Sequence, residues 1–410
     1  MRVVHVFSGS PSGGAAKGAL NLHHALLENG VDSIILNDVT KEREIGSKIC
    51  RRFSKLYRLI RLWLDRISFG FISHRQIFSG VRIGVDISDY PEVITADIIH
   101  LHWINAGFVS ISSLTKIKKP IVWTVRDMWP ITGGCHYSLS CESFRKQCLN
   151  CSKLPYPQKI FMTKDIFSVK KSAYECSNIV FVPISKWMDQ QIKLSGMGIS
   201  KKIHYIPNCI SVTSFDIRTK LSNIKGKALR DDRFVVLLGA ADPEDIYKGF
   251  DLFFDSLKYL NLQQFTFIFF GGSKSYFSEL DLLGVDYISV GYVDNDEYLS
   301  QLYSTADVFL SPSRAEAFGK TAAESMACGT PVVAFDKTGA SDIVVHKQNG
   351  YLAKAFSSED LANGLYWIKN YESQDPMAIR SSIVDRFNSS MISNEYIALY
   401  NRLTERANEN

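Results

Sequence analysis

The feature that most constrains this chain is an alternation of short apolar runs with amphipathic segments, and it occurs twice. In the first half, residues 3–7, 33–36, 98–102, 121–125 and 179–183 are brief, almost wholly apolar runs. The second half restarts the pattern at 234–239, 265–271, 287–290, 308–310 and 332–335. Strands buried on both faces, with helical segments between them, specify a parallel sheet covered by helices. Helices are expected over residues 249–260, 296–304 and 321–328. Residues 211–232 are polar and charged with few apolar anchors, so they are expected to link a first domain, 1–210, to a second, 233–395. Residues 396–410 are expected to form a terminal helix able to cross back to the first domain. The chain's 410 residues suffice for two separate cores. The expected fold class is therefore α/β, with two Rossmann-like domains facing across a cleft. In such sheets, ligands bind beyond the carboxyl ends of the strands.

Hydrophobic residues make up 46% and charged residues 22%, a globular profile, and no apolar run approaches the roughly 20 residues that cross a bilayer. The first residues, MRVVHVFSGSPSGG, read as a strand entering a glycine loop and not as a signal peptide, so a cytoplasmic location is expected. A net charge of +5 is modest for this length, so nucleic acid is not an expected partner.

The richest candidate site is residues 311–331, SPSRAEAFGKTAAESMACGTP. Glu316 falls in a loop after a strand, Phe318, Gly319, Lys320 and Thr321 make a turn, and a helix follows. A helix start fed by a glycine turn offers free N–H groups and a positive dipole end, which suits a diphosphate. Glu316 is expected at the mouth of that site, and Glu324 about two turns into the helix. Two carboxylates beside a phosphate cradle make sense if the ligand also carries hydroxyls, as a nucleotide sugar does. For the glutamate pair alone, an ordinary solvated helix start is the blander account.

Taken together, YKGFDLFFDSL, FIFFGG, GYVDNDEYLSQLYSTADVFLSPSRAEAFGKTAAESMACGTPVVAF and QNGYL resemble retaining glycosyltransferases of the GT-B fold, family 4. A subset of that family, similar to colanic-acid transferases, carries a segment like DMWPITGGCHY. The resemblance implies transfer of a sugar from a nucleoside-diphosphate sugar to a saccharide acceptor on a polyprenyl diphosphate, in surface polysaccharide synthesis. It implies that Glu316 contacts the donor sugar, Glu324 the ribose and Lys248 the donor phosphates. It also implies that His102 reaches the donor sugar. Arg126 and Asp127 are read as ending another strand that faces the cleft, with Asp127 on the acceptor side. The family often has a second cation after the glycine of the preceding strand, and this chain has Ala240 there; Lys320 or Arg314 could substitute. Gly13 and Gly14 let backbone approach the ligands in the cleft. The family is described as using front-face substitution, in which the leaving diphosphate helps remove the acceptor proton. Two other readings stay open. One is a sugar-nucleotide epimerase or oxidoreductase, prompted by Asp38 but opposed by the missing G-x-G-x-x-G order. The other is a non-catalytic sugar-nucleotide-binding protein.

Three further features bear on chemistry. Asp294 and Asp296 look like a metal-binding acid pair, but N-capping of a helix explains them better, and no catalytic metal is expected. His100 and His102 are read as facing opposite sides of one strand. Cys135, Cys141, Cys148 and Cys151, half of the eight cysteines, suit a structural zinc ion, with packed free thiols as the alternative. Finally, residues 44–68 read as a basic amphipathic helix. Such a helix can lie on an anionic membrane surface, making the protein peripheral on the inner face of the membrane; a core-packed helix with a solvated basic face is the commoner case.

Overall fold

The structure is a computed structural model that describes residues 1–10, 13–38, 49–50, 55–68, 78–240, 242–272, 277–371 and 375–409. It divides into two compact units, the first comprising residues 1–209 with 389–410 and the second residues 210–388. The returning terminal helix, Ser389–Glu409, therefore starts earlier than residue 396.

The first unit is a six-stranded sheet of β1 (Arg2–Phe7), β2 (Asp32–Asn37), β3 (Ile49–Cys50), β4 (Ile98–Leu101), β5 (Ile121–Val125) and β6 (Ile179–Pro183), in the order β3-β2-β1-β4-β5-β6. Every neighbouring pair is parallel. One face is covered by the helices Gly14–Glu28 and Ser389–Glu409, whose Leu22, Leu26, Ile392, Leu399 and Tyr400 pack with Val3, Ile98, Val122 and Val182. The opposite face is aromatic: Trp123 lies within ring-packing distance of Trp129, Tyr174 and Phe181.

The second unit repeats the plan. A small hairpin of β7 (Asn223–Ile224) and β8 (Lys227–Ala228) precedes the sheet. The sheet comprises β9 (Phe234–Ala240), β10 (Phe265–Gly271), β11 (Tyr287–Gly291), β12 (Val308–Ser311), β13 (Val332–Phe335) and β14 (Gly350–Ala353), ordered β11-β10-β9-β12-β13-β14. Its core is dominated by Phe250, Phe253, Phe265, Phe267 and Phe269. All ten expected strands are present, and β3 and β14 are additional edge strands. The three expected helices are Phe250–Leu257, Asp296–Thr305 and Lys320–Ala327.

Two expectations need correction here. The segment expected as a linker, 211–232, is fastened to the second unit. The N–H groups of Asp216, Arg218 and Leu221 donate to the hydroxyls of Ser300, Ser304 and Thr305 at 2.9–3.2 Å. Phe215, edge-on to Tyr303, and Ile224 are buried as well, so the segment is docked by hydrogen bonds and by apolar anchors. The expected basic helix 44–68 is also shorter. Ile49–Cys50 is a strand beside β2, the helix runs Lys55–Ser68, and residues 44–48 and 51–54 lie outside the described residues. No helix among the described residues is long and apolar enough to cross a membrane.

Candidate active site

In both sheets the order reverses beside the central strand, between β1 and β4 and between β9 and β12. Loops that leave the carboxyl ends there diverge and open a crevice, so this is where chemistry is expected in each unit.

In the second unit, β12 runs into the loop that carries Glu316, and Gly319 then turns the chain into the helix Lys320–Ala327. Gly319 has a left-handed backbone, φ 96°, and no side chain caps the helix it starts. That helix has no acidic residue in its first turn, so its leading N–H groups and dipole are not offset by a carboxylate there. Lys248 reaches this loop from the turn after β9, and its Nζ lies 2.5 Å from Glu316 Oε1. Ser313 also donates to that oxygen, at 3.4 Å. Burial pulls the Lys248 pKa down, but Glu316 beside it more than compensates and leaves it above the usual lysine range. Lys248 is therefore a cation at any physiological pH. Gly249 makes the approach possible: with φ 65° its hydrogen faces Pro312, and a Cβ there would stand 2.0 Å from the Pro312 carbonyl oxygen.

Glu324 is one helical turn beyond Lys320, closer to the helix start than the two turns expected, because the helix begins at once after Gly319. Its carboxylate is buried, with Tyr303 Oη donating at 3.3 Å and Lys320 Nζ 2.6 Å from Oε1. The Lys320 contact is a close ion pair whose angles fall short of a hydrogen bond. Phe318 is buried edge-on against Phe387, and Thr321 follows Lys320 in the first turn. At the place of the absent arginine, Ala240 is buried, and the preceding Gly239 has the Phe270 ring where a side chain would be. Of the two expected substitutes, Arg314 is committed to Asp251 through two nitrogens, and Lys320 to Glu324. The Asp294–Asp296 pair brackets the true cap: Asn295 accepts from the Tyr298 N–H, and Asp296 occupies the first helical turn.

The first unit carries a buried polar file at its switch point. His100 and His102 are stacked 4.2 Å apart on the same face of β4, not on opposite faces as expected. Residues two apart on a strand share a face, and the expectation misapplied that period. His5, paired with His100 across β1 and β4, joins them, its Nδ1 2.8 Å from His102 Nε2. His100 bonds the Tyr400 and Thr124 hydroxyls, each at 2.7 Å. Burial holds all three imidazoles well below the usual histidine pKa, so they are neutral hydrogen-bonding groups. Their ligating atoms lie within 4.8 Å of one another, the only such trio among the described residues. The adjacent Arg126 guanidinium, whose Nε lies 3.4 Å from His102 Nδ1, disfavours a metal cation there. Both His102 nitrogens thus face partners in its own unit.

Arg126 and Asp127 end β5 on opposite faces. Arg126 lies beside the histidines and bonds Asn208 at 3.0 Å, in space left by Gly18, where a Cβ would meet Nη1 at 2.3 Å. Asp127 accepts from Trp103 Nε1 at 2.8 Å, from the Trp129 N–H at 2.9 Å and from His136 Nδ1 at 2.6 Å. Gly13 is the N-cap of the helix that starts at Gly14, without a side-chain cap. Asp38 turns inward: it accepts from Ser8 and from the Gly9 N–H at 3.3 and 3.1 Å, so it fastens the first loop and is not presented to a ribose. Sequence reasoning sets Arg126 at a strand end facing the cleft but misses the space that Gly18 leaves for it, the partner His136 and the buried Lys170. Gly18 had a signal, a third glycine one turn into GGAAKG; the others become significant only once the strands are paired.

Residues 221–381, which hold Lys248, Glu316 and Glu324, match the family model described as glycosyl transferases group 1. This part of the chain is a group 1 glycosyl transferase domain. Over 407 residues, 92% of this chain and 98% of the relative, the chain is 23% identical to an uncharacterized 41.2 kDa protein in the cps region of Klebsiella pneumoniae. It is 26% identical to the putative colanic acid biosynthesis glycosyl transferase WcaC of Escherichia coli K12, over 35% of this chain and 37% of WcaC. Among solved structures, Anabaena Alr3699/HepE in complex with UDP and glucose superposes with a TM-score of 0.65 at 17% identity, covering 98% of this chain and all of that one. The lipopolysaccharide outer core galactosyltransferase WaaB, in its apo form, superposes with a TM-score of 0.63 at 16% identity over 98% of this chain and 100% of its own. The fold is GT-B, with two Rossmann-like α/β units, as expected.

Proposed function

We propose that this protein is a retaining glycosyltransferase of family 4 that moves a sugar from a nucleoside-diphosphate sugar to a saccharide carried on a polyprenyl diphosphate, in surface polysaccharide synthesis. The observation that carries this reading is the Lys248–Glu316 pair, 2.5 Å apart beside an uncapped helix start in the group 1 domain. The donor diphosphate sits at the N–H groups of Lys320 and Thr321 and draws on Lys248. Glu316, released from Lys248, accepts from the sugar hydroxyls, and Glu324 from the ribose. As the bond from the anomeric carbon to the diphosphate breaks, charge grows on the leaving oxygen, where Lys248 and the helix dipole stabilise it. The acceptor hydroxyl attacks from the same face, and its proton passes to the departing diphosphate. No second arginine or lysine among those considered is free to help, so Lys248 carries this task with backbone N–H groups. The cps-region and colanic-acid relatives support the polysaccharide setting, and the neighbour crystallised with UDP and glucose supports a nucleotide-sugar donor.

The test is donor hydrolysis or sugar transfer by the purified protein. Lys248→Ala and Glu316→Gln are each expected to lose about 10²–10³-fold in kcat, the usual cost of removing one stabilising group at a developing charge. Full activity in both would refute the site.

Membrane contact is part of the same reading, carried by the helix Lys55–Ser68. It faces the opposite way from a core helix. Arg61 is 4% exposed and bonds the Gly107 and Phe108 carbonyls, and Asp65 is equally buried. Leu56 and Trp63 are 68% and 60% exposed, with Leu59, Ile60 and Ile67 beside them, and Arg58 and Arg66 flank this apolar surface. An exposed apolar stripe with aromatic and basic neighbours suits the headgroup region of an anionic bilayer, where a lipid-linked acceptor resides. Flotation with phosphatidylserine vesicles should lift the wild type and leave Trp63→Glu behind. Equal recovery of the two would count against it.

A further inference from the structure

The four clustered cysteines take no part in the chemistry above, yet the fold gathers them. Cys135, Cys141, Cys148 and Cys151 line a single pocket, together with Phe78, Phe144 and Thr163. None of them is in a disulfide. From these placements we infer that the pocket is a structural zinc site with the four thiolates as ligands.

Three observations carry it. First, a backbone N–H group points at one of the sulfurs. The Gly133 N–H donates to Cys148 Sγ at 3.1 Å. Such donors stabilise sulfur as an anion and recur around tightly spaced zinc-binding cysteine pairs. Second, a buried lysine lies near the pocket. Lys170 is 0% exposed, its Nζ bonds the Trp129 and Thr132 carbonyls, and it lies 3.6 Å from the Trp129 ring centroid. A zinc ion with four thiolates is a dianion, and it would supply the counter-charge that neutral thiols do not. Third, the backbone is shaped to bring the sulfurs round. Leu139, Cys148 and Asn150 all have left-handed φ of 51–53°, an unusual density of bent non-glycine residues for one short loop. No three of the sulfurs lie within 4.8 Å of one another, so binding a single ion would require this loop to contract.

The site has a consequence for the acceptor side. Cys135 precedes His136, its carbonyl accepts from Thr132 Oγ1 at 2.5 Å, and His136 holds Asp127. The ion would therefore anchor the strap that positions His136 and Asp127, as a positioning element and not as a reactant.

The experiment reads metal directly and so stands apart from any failure of the transferase reading. Full-length protein purified under reducing conditions is expected to contain about one zinc ion per chain. Exchange with cobalt(II) should give the intense near-ultraviolet sulfur-to-metal band and red absorption of a four-thiolate tetrahedral site. Cys151→Ser should weaken that spectrum, while Cys176→Ser, at an exposed thiol outside the pocket, should leave it unchanged. Chelation should speed tryptic cleavage at Arg145 and Lys146. Wild-type protein that is folded but without bound metal, that holds iron in place of zinc, or whose cysteines here prove disulfide-bonded would overturn the proposal. That readout on the intact chain decides the matter even if the serine variant fails to fold.

Discussion

The two units share a strand order and differ in what they put at its centre. In the first, the positions flanking the switch point are His5, His100, His102, Thr124 and Arg126, joined to Tyr396 and Tyr400 by buried hydrogen bonds. In the second, the strands flanking the switch point present Val236, Leu238, Val308 and Leu310 to an apolar core, and Lys248 and Glu316 lie beyond the strand ends. A polar core depends on every partner being present, because each unpaired group carries its full desolvation cost. An apolar core depends on volume. The same topology thus supports a scaffold specified by hydrogen bonds in one unit and, in the other, a packed apolar platform with the Lys248–Glu316 pair beyond its strand ends.

The largest effect that would break this contrast lies in the apolar core. Phe253→Ala is expected to cost about 3–5 kcal/mol in chemical denaturation, with hydrogen exchange rising across residues 234–371. A loss below 1 kcal/mol would mean the core is not volume-determined. Next come the glycines. Gly249→Ala forces a left-handed alanine against a backbone carbonyl and is expected to cost about 2–4 kcal/mol together with activity. Gly18→Ala meets only the movable end of Arg126 and should cost about 1 kcal/mol or less while displacing the guanidinium. Equal losses would erase the distinction between a clash with backbone and one with a side chain.

Asp65 sharpens the comparison through pH. Burial raises its carboxyl to about 6 from 3.8, despite the Gly80 N–H that donates to it. Below pH 4 it is protonated whether folded or unfolded and has no effect. Between pH 4 and 6 the folded state retains a proton that the unfolded state has lost, so stability falls as pH rises, and the penalty is complete above 6. Asp65→Asn should therefore gain nothing at pH 4 and about 2–3 kcal/mol at pH 8, read as the difference between two denaturation midpoints. A gain independent of pH would show that charge is not the cause. The smallest effect is Tyr400→Phe, which removes a single hydroxyl from His100 and is expected to cost about 1 kcal/mol.

Much of this was legible from the residues. Ten strands, the two-unit plan and the nucleation of a helix at Gly319 follow from apolar run length and glycine placement, which act locally. The Glu316 loop was legible because strand, turn and helix are contiguous there. The facing of His100 and His102 was a local error of strand period; the others described next arose where partners are distant in the chain. The 211–232 segment reads as a linker until Ser300 and Ser304 are set beneath it. The face of the basic helix cannot be known before Gly107 and Phe108 supply the carbonyls that bury Arg61.

What the residues alone determined is the α/β architecture and the location of the Glu316 loop, because both depend on short-range periodicity and on backbone freedom at glycine. What only the tertiary structure decided is which polar side chains are spent inside. His102, Asp38 and Arg314 look available in the sequence, and each is bound to partners within its own unit. Lys248 and Glu316 look no different in the sequence, and the fold brings them together across 68 residues. Electrostatics and hydrogen bonding act through space at a few ångströms, so chain separation carries no record of them until packing closes the distance.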